Sequence, residues 1–340
     1  MFDTFHIPHV LRSAIKTMAF HVGLNRVLSA ATKRPLILLY HRVDEPTDSL
    51  LHREVDTISP YNFAAHLDYV RTLGYQFVTL GELMNSRENS GRFPSERLAV
   101  VTFDDGYLDL YTQAFPLLAD RAIPFTLFLN TATLIGDRLL WVHRVLSALD
   151  RLGMETGRNI LANELSVSAD ETIGTLLGLL FHITDQSRLM RIGVRLTESS
   201  GLTPAEEGRI ARQLYLKREQ LTEMVKHGLE VECHTHEHWP LPSLSREALQ
   251  LEMHACISEI EQAVGRRPRF MSVPFGIGKE IARKSLAEHS LEGLRTSKAG
   301  LVGPNTQHDE LPCFLHGGSK MQFAMDLGHL FLREYKNSRQ

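Results

Sequence analysis

Two carboxylates stand side by side in Val100–Tyr107, VVTFDDGY. Adjacent ionised carboxylates repel, so such a pair is costly unless a cation or a proton relieves it. Much later the chain reads His234-Thr-His-Glu-His238, and early on an apolar run, LILLY, ends at His41. His234 and His238 are four residues apart, a spacing that puts two imidazoles on one side of a turn or helix. With one carboxylate they form a His2Asp set, suited to Zn, Fe, Co or Ni with coordination positions left open. The second carboxylate then stays off the cation and acts as a base. Each piece alone has a plainer reading. A DDG is commonly a turn, an HxxxH is commonly two surface histidines, and a single His41 fits a satisfied core histidine. His143 and His236 receive no role, because nothing in the sequence brings them to the other three groups.

What must position these groups is a set of strand ends. Leu36–Tyr40 reads as a buried strand, and Gln76–Thr79, Leu98–Phe103, Phe125–Leu129, Leu229–Cys233 and Phe270–Val273 follow. Helices are expected between them. One starts at Ser59-Pro60, a cap residue followed by Pro at the first helical position, and carries Phe63, Leu67, Val70 and Leu73 on its apolar face before Gly74 ends it. Others are expected at about 108–121, 218–227 and 246–264. Alternating strands and helices predict a parallel sheet, which presents reactive residues at its C-terminal strand ends. His41, Asp104, Asp105 and His234 all follow a strand directly. Residues 137–215 break the alternation and read as a helical insertion, expected to cover one edge of a groove and to select substrate. The chain therefore divides into an amphipathic N-terminal helix (1–34), a barrel (35–318) with its insertion, and a C-terminal helix (319–340).

With 340 residues, 43% hydrophobic and 23% charged, the chain can bury a large core. A formal net charge of −3 gives no sign of a nucleic-acid partner. Three cysteines, an odd number without close pairing, suggest reduced thiols. Residues 9–34 lack the apolar core of a signal peptide, which predicts a cytoplasmic protein. Leu11, Ile15, Met18 and Val22 fall at helical spacing among basic residues, so this helix packs on the domain or makes weak peripheral contact with an anionic membrane. No segment approaches the ~20 apolar residues of a transmembrane helix.

VTFDDGY and HTHEH resemble the first two motifs, TFDDG and H-[S/T]-x-x-H, of the NodB-type polysaccharide deacetylases, carbohydrate esterase family 4. ILLYHRV, SPYNFAAHLDYVRTLGY, IPFTLFLN and Lys217–Gly276 are similar to the branch in which a Tyr-His strand precedes DDG. The resemblance implies a distorted (β/α) barrel that removes acetyl groups from N-acetylated sugars with one divalent metal, zinc foremost. It implies Asp104 as the catalytic base, Asp105, His234 and His238 as metal ligands, and the Tyr107 N–H as oxyanion donor. His41, in a permuted L-x-H strand Leu39-Tyr40-His41, becomes the general acid, with His316 its rival. Val273–Gly276 corresponds to the third motif, and Pro274, Phe275 and Trp239 are expected to touch substrate. Two features of the family pattern are missing: the Arg before that Pro, where this chain has Met271-Ser-Val273, and the Asp-to-Trp fourth motif. A metal-dependent amidase with a non-sugar substrate and a non-catalytic glycan-binding barrel are the alternatives.

Overall fold

The computed structural model describes residues 23–87 and 91–337. Its centre is a ring of parallel strands. β1 (Leu36–Tyr40) pairs on one side with β5 (Leu98–Asp105) and on the other with β10 (Leu311–Leu315). The remaining members run β5, β6 (Phe125–Leu129), β7 (Leu229–Cys233), β8 (Phe270–Ser272), β9 (Gly293–Ala299) and back to β10. β1 thus closes a seven-stranded barrel. A short β4 (Gln76–Phe77) adds outside it, against Leu98 and Ala99, and β2 (Arg42–Val43) and β3 (Thr57–Ile58) form a separate parallel pair.

β1 and β6 are apolar throughout because both of their faces are covered. Successive residues still alternate between two cores. Leu36, Leu38, Tyr40, Val101 and Phe103 pack outward against helices, with Phe63, Leu67 and Phe323. Ile37, Leu39, Val100, Phe128, Phe270 and Cys313 form the inner core, joined by Leu80 and Leu83 of the helix Leu80–Asn85. Continuing the inner parity by two residues leads to the chemistry. After Ile37 and Leu39 comes His41; after Val100 and Thr102 comes Asp104. His234 lies two positions beyond Glu232, which pairs with Phe128. Arg295 pairs with Ser272. The barrel's last interior layer gathers its ionisable groups at the C-terminal strand ends.

Two local features depart from the sequence expectations. The helix expected at 108–121 is a π-turn, Leu110–Ala114, followed by a short helix, Phe115–Ala119. Pro116 has no N–H to continue an ordinary helical ladder, which accounts for the wider turn before it. The polar run Gly293–Ala299, GLRTSKA, is a full strand. The apolar positions of the N-terminal amphipathic helix, Leu11 to Val22, lie outside the described residues. Residues 23–32 are helical, and Asn25 ties them down by donating to Tyr69 Oη (2.7 Å) and to Ala324 O (2.6 Å).

Residues 137–215 contain five helices: Trp141–Leu152, Met154–Leu165, Ile173–Leu180, Gln186–Ser200 and Pro204–Leu214. Thr172, Asp185 and Thr203 cap three of them, the last with a reciprocal bond from Glu206. They bury their own core, including Val145, Leu149, Leu161, Leu176 and Leu196. Tyr107 and Trp239 join that core, so the insertion is seated on the C-terminal face of the barrel. Helix Lys320–Asn337 lies on Pro60–Thr72, where Phe323 stacks on His66 at 4.0 Å. Among the described residues no helix is long and apolar enough to cross a membrane.

Candidate active site and metal centre

Asp105 ends β5 with φ 77°, and Gly106 follows at φ 97°. A left-handed Asp is uncommon and marks a constrained turn. A Cβ on Gly106 would lie 2.5 Å from Leu129 Cδ1, so that position requires glycine. The turn swings Asp105 away from Asp104 and toward the histidines. Its Oδ1 lies 3.4 Å from His234 Nε2 and 3.4 Å from His238 Nε2. All three side chains are buried, and their donor atoms lie within 4.8 Å of one another.

The donor set fits a divalent cation. A tetrahedral ion with bonds of 2.0–2.2 Å separates its ligands by roughly 3.4 Å. Asp105 Oδ1 is buried without a hydrogen-bond partner, an orphaned acceptor that a cation would satisfy. His234 Nδ1 faces Ser272 O at 3.0 Å. That carbonyl can only accept, so Nδ1 carries the hydrogen and Nε2 turns its lone pair to the site. Ser272 Oγ lies 2.6 Å from the same nitrogen. Burial raises the Asp105 carboxyl, but positive charge beside it, on the imidazoles of His238 and His234 when protonated, holds it well below the usual carboxylate range. Burial holds His238 down at about 3, neutral as a ligand must be.

Asp104 has a different partner. Both of its oxygens accept from the Arg295 guanidinium, and Ser272 Oγ approaches at 3.4 Å. Arg295 is buried, with its guanidinium 4.9 Å from the centre of the Phe128 ring. It supplies from β9 the cation that the third motif lacks on β8. The repulsion inside the DDG pair is therefore relieved twice: Asp104 by arginine, Asp105 by the histidines and the ion they would share. Sequence reasoning missed Arg295, because its strand is polar and was not recognised as one.

His41 lines the same cavity as Asp104, Asp105, His234 and His238. Its Nδ1 is buried without a hydrogen bond and lies 3.9 Å from Asp56. His316 has the opposite parity to Leu315 and faces the helices. It contacts Asp326 at 3.0 Å, accepts from Gly318 N–H and packs on Phe314. It does not line the cavity.

Of the residues expected to touch substrate, Phe275 lines the cavity, stacked on Phe181 at 4.0 Å and beside His238 at 4.3 Å. Pro274 and Trp239 do not line it. Pro274 is buried at the start of the Pro274–Gly276 turn. Trp239 is stacked flat on Trp141 at 5.4 Å, within the insertion's core.

His143, left without a role in the sequence, lines the cavity too. It bridges Tyr107 Oη and Tyr215 Oη at 2.6 Å each, while Leu140 N–H donates to Tyr215. The bridge joins the DDG turn to the insertion. Leu216 N–H reinforces it by donating to Gly106 O. Burial holds the His143 imidazole down at about 4, so it is neutral. Between about pH 6.5 and pH 4 the unfolded chain binds a proton there and the folded chain does not. Stability conferred by neutral His143 is complete above that window and lost as pH falls through it, by about 3 kcal/mol. Urea unfolding of wild type and His143→Gln at several pH values tests this. The variant is expected to be less stable near pH 7 and to lose less on acidification; parallel profiles would refute it.

The cavity holds about 330 Å³, the lower end of the range for small-ligand sites. The barrel's strand ends form its floor, and Val142, Leu146, Leu177 and Phe181 of the insertion form the opposite wall.

A family model described as polysaccharide deacetylase matches residues 92–167 and 181–294. The chain is 22% identical over 251 residues to YxkH of Bacillus subtilis (strain 168), covering 73% of this chain and 59% of that protein. It therefore spans less than two thirds of the length of the curated relative it matches. Among solved structures it is similar to the deacetylase PplD of Streptococcus pyogenes, described in complex with acetate. That likeness has a TM-score of 0.57 at 15% identity and covers 88% of this chain and 98% of that one. It is also similar to IcaB of Ammonifex degensii, with a TM-score of 0.56 at 20% identity, covering 87% and 97%. At these identities the structural likeness speaks for the fold, a (β/α) barrel of this type.

Proposed function

Because the chain belongs to the polysaccharide deacetylase family, we propose that it hydrolyses the N-acetyl group of an amino-sugar glycan or glycan precursor and releases acetate. One observation carries the reading: a buried Asp105/His234/His238 set with an orphaned carboxylate oxygen beside a second carboxylate, Asp104, held apart from it by Arg295. A binding barrel has no need of that second carboxylate.

Asp105, His234 and His238 would hold one divalent ion, zinc first, with Fe, Co or Ni as alternatives. Bound there, it supplies Lewis-acid polarisation of the amide carbonyl and acidifies water. The protein's own groups do the rest. Asp104 accepts the proton of the attacking water, and its two bonds to Arg295 fix the direction of its free lone pairs. The Tyr107 N–H donates to the carbonyl oxygen as negative charge builds on it, and the His143 bridge fixes the Tyr107 ring. His41, protonated, donates to the nitrogen of the departing amine, which leaves as a neutral amino sugar. The cavity walls exclude bulk water from these transfers.

Metal analysis and acetate release test the reading together. The purified protein is expected to bind about one divalent ion and to release acetate from an N-acetyl amino sugar. A chelator should abolish the reaction and added metal restore it. His234→Ala should lose the ion. A metal-loaded protein that releases acetate from a simple N-acetylated amine and from no sugar would be the non-sugar amidase instead.

A further inference from the structure

We propose that the cavity binds the aliphatic aglycone of an amino-sugar glycoside, seated against Gly178, rather than a further stretch of polymer. The inference rests on the deacetylase reading and names the kind of amine that leaves.

His41 marks the leaving-group side of the reacting carbon. From it the cavity passes Asp56, 3.9 Å from His41 Nδ1, and reaches Glu54, whose Oε2 would lie 3.6 Å from a Cβ on Gly174. The departing amine is thereby directed along residues 54–56 toward the helix Ile173–Leu180. That helix turns Gly174 and Gly178 to the cavity, one turn apart. A Cβ on Gly178 would meet nothing within 4 Å. The missing side chain holds space open, and the surrounding wall is aliphatic: Val142, Leu146 and Leu177. A sugar hydroxyl placed there would lose its water without gaining a partner. An alkyl chain would gain with every methylene it buries. Glu54 and Asp56 suit the hydroxyls of one sugar ring between the metal site and that wall.

The cavity itself offers phosphate little. Among the described residues lining the cavity, Arg295 is the only Lys or Arg, and both oxygens of Asp104 occupy it. Along the path a diphosphate would meet the carboxylates of Glu54 and Asp56, while the guanidinium groups of Arg53 and Arg158 line the neighbouring concavity beyond Glu54 and Gly174.

The test compares N-acetylglucosamine glycosides with methyl, hexyl and decyl aglycones against free amino sugars carrying N-acetyl, N-butyryl or N-hexanoyl groups. kcat/KM and calorimetric Kd are measured on the metal-loaded enzyme. The hexyl glycoside is expected to exceed the methyl glycoside at least tenfold in kcat/KM and in affinity. Gly178→Leu places a side chain in open space and replaces Gly with a better helix former. It is expected to erase that advantage while leaving the methyl glycoside within threefold of wild type. Equal methyl and hexyl values, or a Gly178→Leu loss shared by both, overturns the proposal. A preference for long N-acyl groups assigns the aliphatic wall to the acyl side and overturns it too. Acetyl substrates that bind with the expected alkyl preference but are never hydrolysed refute the deacetylase reading and leave the binding inference standing.

Discussion

Asp104→Asn is expected to keep its metal and lose turnover by a factor on the order of 10²–10⁴, the usual worth of a positioned acid or base. The amide keeps the shape and one acceptor oxygen for Arg295 but cannot accept the proton of the attacking water. Asp105→Ala is expected to fail differently, by losing the ion, because Asp105 Oδ1 is the atom shared between His234 and His238. The comparison separates two neighbouring carboxylates that no single activity assay distinguishes. Arg295→Met extends it. Removing one member of a buried ion pair strands the other, typically at about 3–5 kcal/mol, so this variant is expected to be both less stable and slow. If Arg295 acts through Asp104, the two changes will not add: in an Asp104→Asn background, Arg295→Met should cost little further rate. Metal content, unfolding midpoint and kcat/KM of the four proteins complete the cycle. A near-normal rate for Asp104→Asn sinks the base assignment, and additive losses sink the coupling.

The same residues explain how far the sequence could be read. The DDG strand is legible because an apolar run ends in polar residues and the HTHEH strand because a short alternating run, LEVEC, does, and in a parallel barrel a strand end is a fixed address. That reasoning puts Asp104, Asp105, His234 and His238 at strand ends, and the four line one cavity. His41 was found likewise, and β1 does close the barrel between β5 and β10. Arg295 was not legible. GLRTSKA has neither an apolar run nor clean alternation, since it is held as a strand by its neighbours rather than by its own propensity. The absent arginine of the third motif was a signal that one was needed from elsewhere, but only the register Ser272↔Arg295 says where. His143 failed for another reason. It belongs to an insertion whose seat on the barrel depends on tertiary contacts with Tyr107 and Tyr215, and no local pattern encodes those. Trp239 shows the converse error, an aromatic beside a motif whose ring packs away from the cavity onto Trp141.

His41→Ala is expected to lower amide hydrolysis by a factor on the order of 10²–10⁴ with the metal retained. The departing amine is a poor leaving group unless protonated, and His41 is the histidine lining the cavity outside the metal set and the tyrosine bridge. Its Nδ1 has no hydrogen bond, and the carboxylate of Asp56 lies 3.9 Å away. The loss should therefore depend on the leaving group. An activated acetate ester, whose phenolate departs without a proton, should be cleaved by His41→Ala nearly as fast as by wild type, while the N-acetyl sugar is not. His316→Ala should change neither rate, because that ring bonds Asp326 on the helix side of β10. A structural role for His41 would slow ester and amide alike. If His41→Ala processes amides normally and His316→Ala does not, the proton comes from the far side of β10 and the parity argument that places His41 in the last layer of the barrel is wrong.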